Sequence, residues 1–279
     1  MNFDRRQFVV LTGAGLASLA LPAGVRGCGS EAALLDRIGV QLYTVRSLLK
    51  DDFEGTLARV AAIGYTEVEF AGYYDRTAAD IRRILDANGL AAPAAHIPIE
   101  ALRDNWAATL DDAETAGHRY LLVAWLAEAD RGSIADLQRI AELFSRAALE
   151  ARQRGITFAY HNHDFEFAPV EGRLPYDVLL EACDPAVQFE MDLYWITKGG
   201  QDPLKYFQRW PGRFPLVHVK DMSSDGKMVA VGEGAIDWPR ILAARNQAGI
   251  KHYFVEHDEP ADPLESIRVS YEYLKGLRA

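Results

Sequence analysis

Cysteine is scarce in this 279-residue chain, which has only Cys28 and Cys183. Cys28 falls in or near a segment expected to be removed. That leaves Cys183 unpaired, and a hydrophobic core must hold the fold without a disulfide framework. Lys and Arg form no block beyond pairs such as Arg82-Arg83, and 40 acidic residues against 30 basic give a formal charge of −10. Phosphate backbones are gripped by clustered cations, so this balance argues against nucleic acid as the main partner. No G-x-G-x-x-G turn follows the first apolar run, Arg37–Val45, and "VQLYTVRS" has no glycine at all. The usual opening of a dinucleotide-binding doubly wound sheet is therefore missing. Low-complexity segments and motif repeats of 20–50 residues are absent as well.

The uncharged run from Phe8 to about Ala23 is short for a membrane span, and it follows the paired Arg5 and Arg6. It reads as a twin-arginine export signal with cleavage near Ala23, occupying with a short linker residues 1–30. The mature chain is then expected to be periplasmic or otherwise exported, with no membrane attachment. A lipoprotein anchored at Cys28 is the weaker reading, because Arg26 sits awkwardly beside the Cys. Twin-arginine export commonly carries folded proteins with a metal or cofactor already loaded, an indirect hint of a bound ion.

From residue 31 to 279, short runs rich in Val, Ile, Leu and Phe alternate with longer stretches of helical period. Strands are expected within Arg37–Val45, Tyr65–Gly72, Leu90–Pro98, His118–Trp125, Ile156–His163, Val187–Trp195, Phe214–Asp221 and His252–Asp258. Helices are expected between them, including one long helix over Ile99–Gly117 and another over Asp237–Gly249. Glycine stands at the stop position of several: Gly64, Gly89, Gly117, Gly155 and Gly249. Strict β/α alternation implies a parallel sheet, and eight units at this length close most economically into a single-domain (β/α)8 TIM barrel. An open doubly wound sheet is the alternative.

Chemistry in such a barrel belongs at the carboxyl ends of the strands. The residues there are Gln41 and Tyr43, Glu69, His96, Trp125, His161 and His163, Asp192, His218 and Lys220, and Glu256 and Asp258. A strand's period of two puts His161/His163, His218/Lys220 and Glu256/Asp258 each on one face. Asn162 then points the other way, into a structural position. Four consecutive strands thus aim a His, a carboxylate, a His and a carboxylate at one mouth. That donor mixture suits one Mn²⁺, Zn²⁺, Co²⁺ or Fe²⁺ ion and is too rich in nitrogen for a dedicated Ca²⁺ or Mg²⁺ cage.

From Arg37 onward, "IGVQLYTVR", "AAIGYTEVEFAGYY", "GITFAYHNHDFEF", "FEMDLYW", "LVHVKDM", "VGEGAIDW" and "YFVEHDE" follow in order. With them the chain resembles the xylose isomerase-like sugar phosphate isomerase/epimerase barrels, relatives of endonuclease IV and of inosose isomerases and dehydratases. The resemblance implies one divalent metal held by a strand-5 Glu, a strand-6 Asp, a strand-7 His and a strand-8 Glu. Those positions are His161, Asp192, His218 and Glu256 here. His161 stands where many members have Glu, which removes one of the two bases of a symmetric epimerase and makes a bound ion a stronger Lewis acid. Trp195 replaces a His that close relatives place three residues after the Asp; an apolar ring there suits a sugar face.

The expected chemistry is proton abstraction beside the carbonyl of a keto-sugar or hydroxy-ketone, through a metal-stabilised enediolate. Glu256 is the first candidate base, with His163 and Glu166 behind it; Lys220 and His96 can donate to oxygens or act as acid. Gln41, Tyr43, Glu69, His96 and Trp195 are expected to contact the substrate. Isomerisation or epimerisation follows from the family, while the missing Glu points towards a lyase or dehydratase acting on 3-keto-glycosides or inosose-like substrates. "VGEGAIDW" reads as a loop that shapes the pocket, Trp238 opening the next helix, rather than as a phosphate turn. Endonuclease-like chemistry lacks its basic groove and further metal ligands. A non-catalytic periplasmic sugar-binding protein is the alternative of another class, and assembly of like subunits is compatible with either.

Overall fold

The computed structural model describes residues 34–35 and 37–278, so the expected export signal and Cys28 lie outside the described residues. Residues 32–279 form one compact unit. Its strands are β1 Gly39–Gln41, β2 Glu67–Phe70, β3 Ala91–Ile97 and β4 Tyr120–Val123. β5 Thr157–His161, β6 Gln188–Asp192, β7 Leu216–Val219 and β8 His252–Val255 complete the set. All pair in parallel, and β1 joins β8 on one side and β2 on the other, closing the expected barrel. Among the described residues no helix is long and apolar enough to cross a membrane.

The two-residue period of each strand sorts its side chains between two environments. Val40, Val68, Tyr160, Phe189, Val217 and Val255 point outwards and are buried in the large core shared with the helices. Ala94, Tyr120, Leu122, Ala159, Leu216 and Phe254 form a separate apolar layer inside the barrel. Each fully buried large side chain contributes on the order of 1.5–3 kcal/mol. Gly39 is dictated by this layer, since a Cβ there would stand 2.5 Å from the Phe254 ring. Polar residues bracket the apolar layer. Below it His252 Nδ1 meets Glu67 Oε2 at 2.8 Å; above it lies the site.

Helix boundaries follow local chemistry. Asp52, Thr77, Ser133 and Asp262 cap the helices Phe53–Ile63, Ala78–Asn88, Ile134–Gln153 and Pro263–Gly276 by accepting backbone N–H groups. The five glycines expected to stop helices all have positive φ. The long helix expected over Ile99–Gly117 is instead two helices, Ile99–Asp104 and Trp106–Ala116, parted at Asn105. The stretch Asp237–Gly249 likewise divides into Trp238–Ala243 and Arg245–Ala248.

Two expected strands end early for one shared reason. Gln41 Oε1 accepts the Tyr43 N–H, turning Leu42–Val45 into a 3-10 helix. Asp192 Oδ1 accepts the Trp195 N–H at 2.8 Å, starting the helix Leu193–Lys198. In both cases a side-chain acceptor at the strand end satisfies an orphan donor of the helix that follows.

Candidate functional site

The polar residues at the carboxyl end of the barrel occupy two levels. The deeper level contains Gln41, Glu69, His96, His161, Glu190 and His218, all buried except His96, which is partly exposed. Glu69 Oε2 accepts from Gln41 Nε2 at 2.8 Å and lies 2.7 Å from His218 Nε2. Glu190 Oε2 lies 3.0 Å from His96 Nε2, 3.1 Å from His218 Nε2 and 3.3 Å from His161 Nδ1. Glu69 was expected to meet substrate and Gln41 with it, but neither lines the cavity above; the two side chains brace each other beneath it. Glu190 joins the expected residues at this level. It stands two residues before Asp192 on β6, so the same period of two that placed Asp192 inwards also places Glu190.

The upper level is organised by Lys220, whose ammonium is 2.8 Å from Glu256 Oε2, 2.8 Å from Asp258 Oδ1 and 3.1 Å from Asp192 Oδ2. His218 joins the levels, with Nδ1 2.7 Å from Glu256 Oε2 and Nε2 facing Glu69. His161 does the same more loosely, its Nε2 lying 3.8 Å from Asp192 Oδ2.

Above these residues opens a cavity of about 530 Å³, lined by Tyr43, His96, Trp125, His161, His163, Lys220, Glu256 and Asp258 among others. Trp125 is 55% exposed, its ring edge-on to His163 and Phe165. Trp195 was expected to offer its ring to a sugar, yet it does not line the cavity. The helix begun by Asp192 sets it beside His163 and over the Lys198 and Lys220 ammonium groups. Glu166 is turned away too: it accepts from the Tyr160 hydroxyl and, at 2.7 Å, from the His163 N–H. Tyr160 belongs to the outward face of β5, so a carboxylate bonded to it braces the loop from behind. Asn162 is structural as expected, its Oδ1 accepting the Asp192 N–H at 3.1 Å.

Asp221 explains the glycine-bearing loop. Its carboxylate accepts the N–H groups of Gly232, Gly234 and Ile236 and, at 3.0 Å, the Trp238 indole N–H. The backbone donors a phosphate would need are taken by an internal anion, and Trp238 opens its helix as expected.

Charge states follow from this packing. Burial disfavours ionising Glu69, but His96 and His218 outweigh it and hold the carboxyl near 2. Burial opposes protonation of His96, yet Glu69 and Glu190 push it up to about 9; the His218 imidazole is raised for the same reason by Glu190 and Glu256. Burial also opposes the Lys220 charge, and Asp192, Glu256 and Asp258 overcome it. Against burial, Lys220 and His218 keep Glu256 well below the usual carboxylate range. His163 is lowered to about 4 by burial and then by Lys220, and burial with neighbouring cations depresses His161 strongly. Burial lifts Glu166 to about 7.

The donor chemistry fits a divalent ion. Asp192, His218 and Glu256 bring ligand atoms within 4.8 Å of one another, as do His96, His161, Glu190 and His218. Glu69 Oε1 and Glu190 Oε1 are buried without a hydrogen-bond partner, an expensive condition that a cation would relieve.

The chain and its fold are similar to known proteins. The chain is 22% identical over 265 residues to the inosose dehydratase of Lacticaseibacillus casei, covering 80% of this chain and 88% of the relative. A crystal structure of a sugar phosphate isomerase/epimerase from Parabacteroides distasonis superposes with a TM-score of 0.77 at 26% identity, over 86% of this chain and 98% of the other. The IOLI protein, solved with a bound zinc atom, shares the fold with a TM-score of 0.69 at 14% identity, over 85% and 95% of the two chains. The family model for the xylose isomerase-like TIM barrel matches residues 57–277, and with the closed eight-stranded barrel and its polar carboxyl-terminal mouth the chain belongs to that family.

Proposed function

We propose that this chain is a divalent-metal-dependent enzyme of non-phosphorylated keto-sugars or related polyhydroxy-ketones, removing the proton next to the carbonyl and expelling a β-substituent. The observation that carries the reading is the base–ammonium pair Glu256 and Lys220, 2.8 Å apart on one wall of the cavity. The donors proposed for the ion are His161, Asp192, His218 and Glu256. A divalent ion held there would polarise the carbonyl and take up charge developing on the enediolate. Glu256 is ionised and can accept the proton, while the Lys220 ammonium is placed to donate to the leaving oxygen. Trp125, exposed at the rim, offers a ring face to the sugar.

Elimination is preferred to epimerisation because epimerisation needs a proton donor on the face opposite the base. Three strands round the barrel from Glu256 stands His163, which, lowered to about 4, carries no proton to give at neutral pH, while His96, three strands round the other way, is held by Glu69 and Glu190. The inosose dehydratase relative agrees with a dehydratase of this class, an inosose being a cyclic polyhydroxy-ketone. Isomerisation is the second reading, favoured by the same pair, since Glu256 and Lys220 can take and return a proton on a single face. A phosphorylated substrate is disfavoured by the occupation of the glycine-bearing loop by Asp221. Export by the twin-arginine route remains part of the proposal.

The test is incubation with inososes, 3-keto-glycosides and simple ketoses in D2O. Loss of water or of an aglycone is expected, slowed at least ~100-fold in Glu256→Gln. Sugar binding with no solvent deuterium incorporated, unchanged by that substitution, would instead make the chain a sugar-binding protein.

A further inference from the structure

We infer that Glu69, His96, His161, Glu190 and His218 form a second cation position, one level below the mouth, suited to a first-row transition-metal ion. The inference rests on the proposed mouth site only in sharing His161 and His218 with it. Three ring nitrogens and two carboxylate oxygens converge there. His96 Nε2 lies 3.0 Å from Glu190 Oε2 and 3.3 Å from Glu69 Oε2, and His218 Nε2 lies 2.7 Å from Glu69 Oε2 and 3.1 Å from Glu190 Oε2.

Hydrogen bonds account for only part of this cluster. Each ring nitrogen carries at most one hydrogen, which points one way, yet His96 and His218 each face two carboxylates. Glu69 Oε2 already accepts from Gln41 as well. Meanwhile Glu69 Oε1 and Glu190 Oε1 are buried without a hydrogen-bond partner, and His161 Nδ1 has only Glu190 Oε2, at 3.3 Å. A central cation gives every one of these atoms a role. Imidazole with carboxylate is the donor mixture of Zn²⁺, Co²⁺, Fe²⁺ and Mn²⁺.

Charge points the same way. Asp192, Glu256 and Asp258 surround the Lys220 ammonium, whereas Glu69 and Glu190 have, as charge partners, only imidazoles beside them. His218 stands between the two positions, its nitrogens facing Glu256 and Glu69 respectively, and would hold both ions at once only as an imidazolate that has released its N–H proton.

Cobalt is the probe. Wild type, His96→Gln, Glu190→Gln and the double variant Asp192→Asn/Glu256→Gln are loaded with Co²⁺ and desalted; metal per chain is then measured by atomic emission, with circular dichroism confirming folding. Two equivalents are expected in wild type, one in each deep variant and one in the mouth variant. A single equivalent in wild type, lost with the deep variants but kept in the mouth variant, upholds the deep position and overturns the mouth assignment. A single equivalent untouched by both deep variants overturns the inference and leaves the mouth assignment standing. Cobalt bound by none of the proteins overturns both assignments, and deuterium exchange then decides separately whether the proton chemistry survives.

Discussion

The Lys220 ammonium lies 2.8 Å from Glu256 and 2.8 Å from Asp258, so a cation of the chain's own stands among the carboxylates at the mouth of the barrel. Removing one member of a buried ion group leaves the others uncompensated, which typically costs about 3–5 kcal/mol. Lys220→Met should lower the urea midpoint of unfolding by a corresponding amount. Added Mn²⁺ should recover more of that loss in the variant than it adds to wild type, because the ion can replace the missing charge. Equal midpoints without metal would contradict this account.

Glu166 predicts a pH signature. Its folded-state pKa is raised to about 7, from an ordinary carboxyl value of 4.5, by burial. A raised pKa means that the folded chain holds the proton more tightly than the unfolded chain. The stability it contributes is therefore complete below about pH 4.5 and is lost as pH climbs through about 7. Glu166→Gln cannot titrate, so wild type should lose on the order of 2 kcal/mol relative to the variant between pH 5 and pH 8. Parallel stability curves for the two proteins would refute it.

Asp192 has two jobs on two oxygens: Oδ1 caps the helix Leu193–Lys198 and Oδ2 faces Lys220. Asparagine keeps the cap and loses the charge, whereas alanine loses both. Asp192→Ala should be less stable than Asp192→Asn by about 1 kcal/mol, while metal affinity falls in both. Thermal melts with and without added metal separate the two effects.

Trp125 is expected to set substrate affinity rather than rate. Trp125→Ala should raise KM by about tenfold, the worth of ~1.4 kcal/mol of ring contact, and leave kcat within a factor of a few. Trp195, packed behind His163, should alter stability more than KM when replaced by alanine.

Trp238→Phe tests the glycine-bearing loop. The indole N–H donates to the buried Asp221 carboxylate at 3.0 Å, and a hydrogen bond to a charged group is worth about 1.5–3 kcal/mol. A loss of that size in chemical denaturation is expected.

Local chemistry was enough to reveal the barrel. The period of two in the strands, the helical period between them and the glycine stops are properties of neighbouring residues, readable without the fold. The inward face of β6 was equally readable, and applying the period two residues further back from Asp192 would have found Glu190. Depth along the barrel axis was not readable. Gln41 and Glu69 lie beneath the cavity because of how the strands are staggered, and stagger is fixed only when the sheet closes. Direction after a strand ends was not readable either. Once Asp192 and Gln41 start helices, and a 3-10 turn swings Glu166 back towards Tyr160, the alternation that predicted their neighbours no longer applies. The sequence by itself determined which residue types stand at the mouth, since strand ends are set by local pattern. Which of them meet a ligand, which meet each other, and that Lys220 stands among the carboxylates were decided only by the tertiary structure. Those contacts join strands far apart in sequence, at distances set by barrel closure.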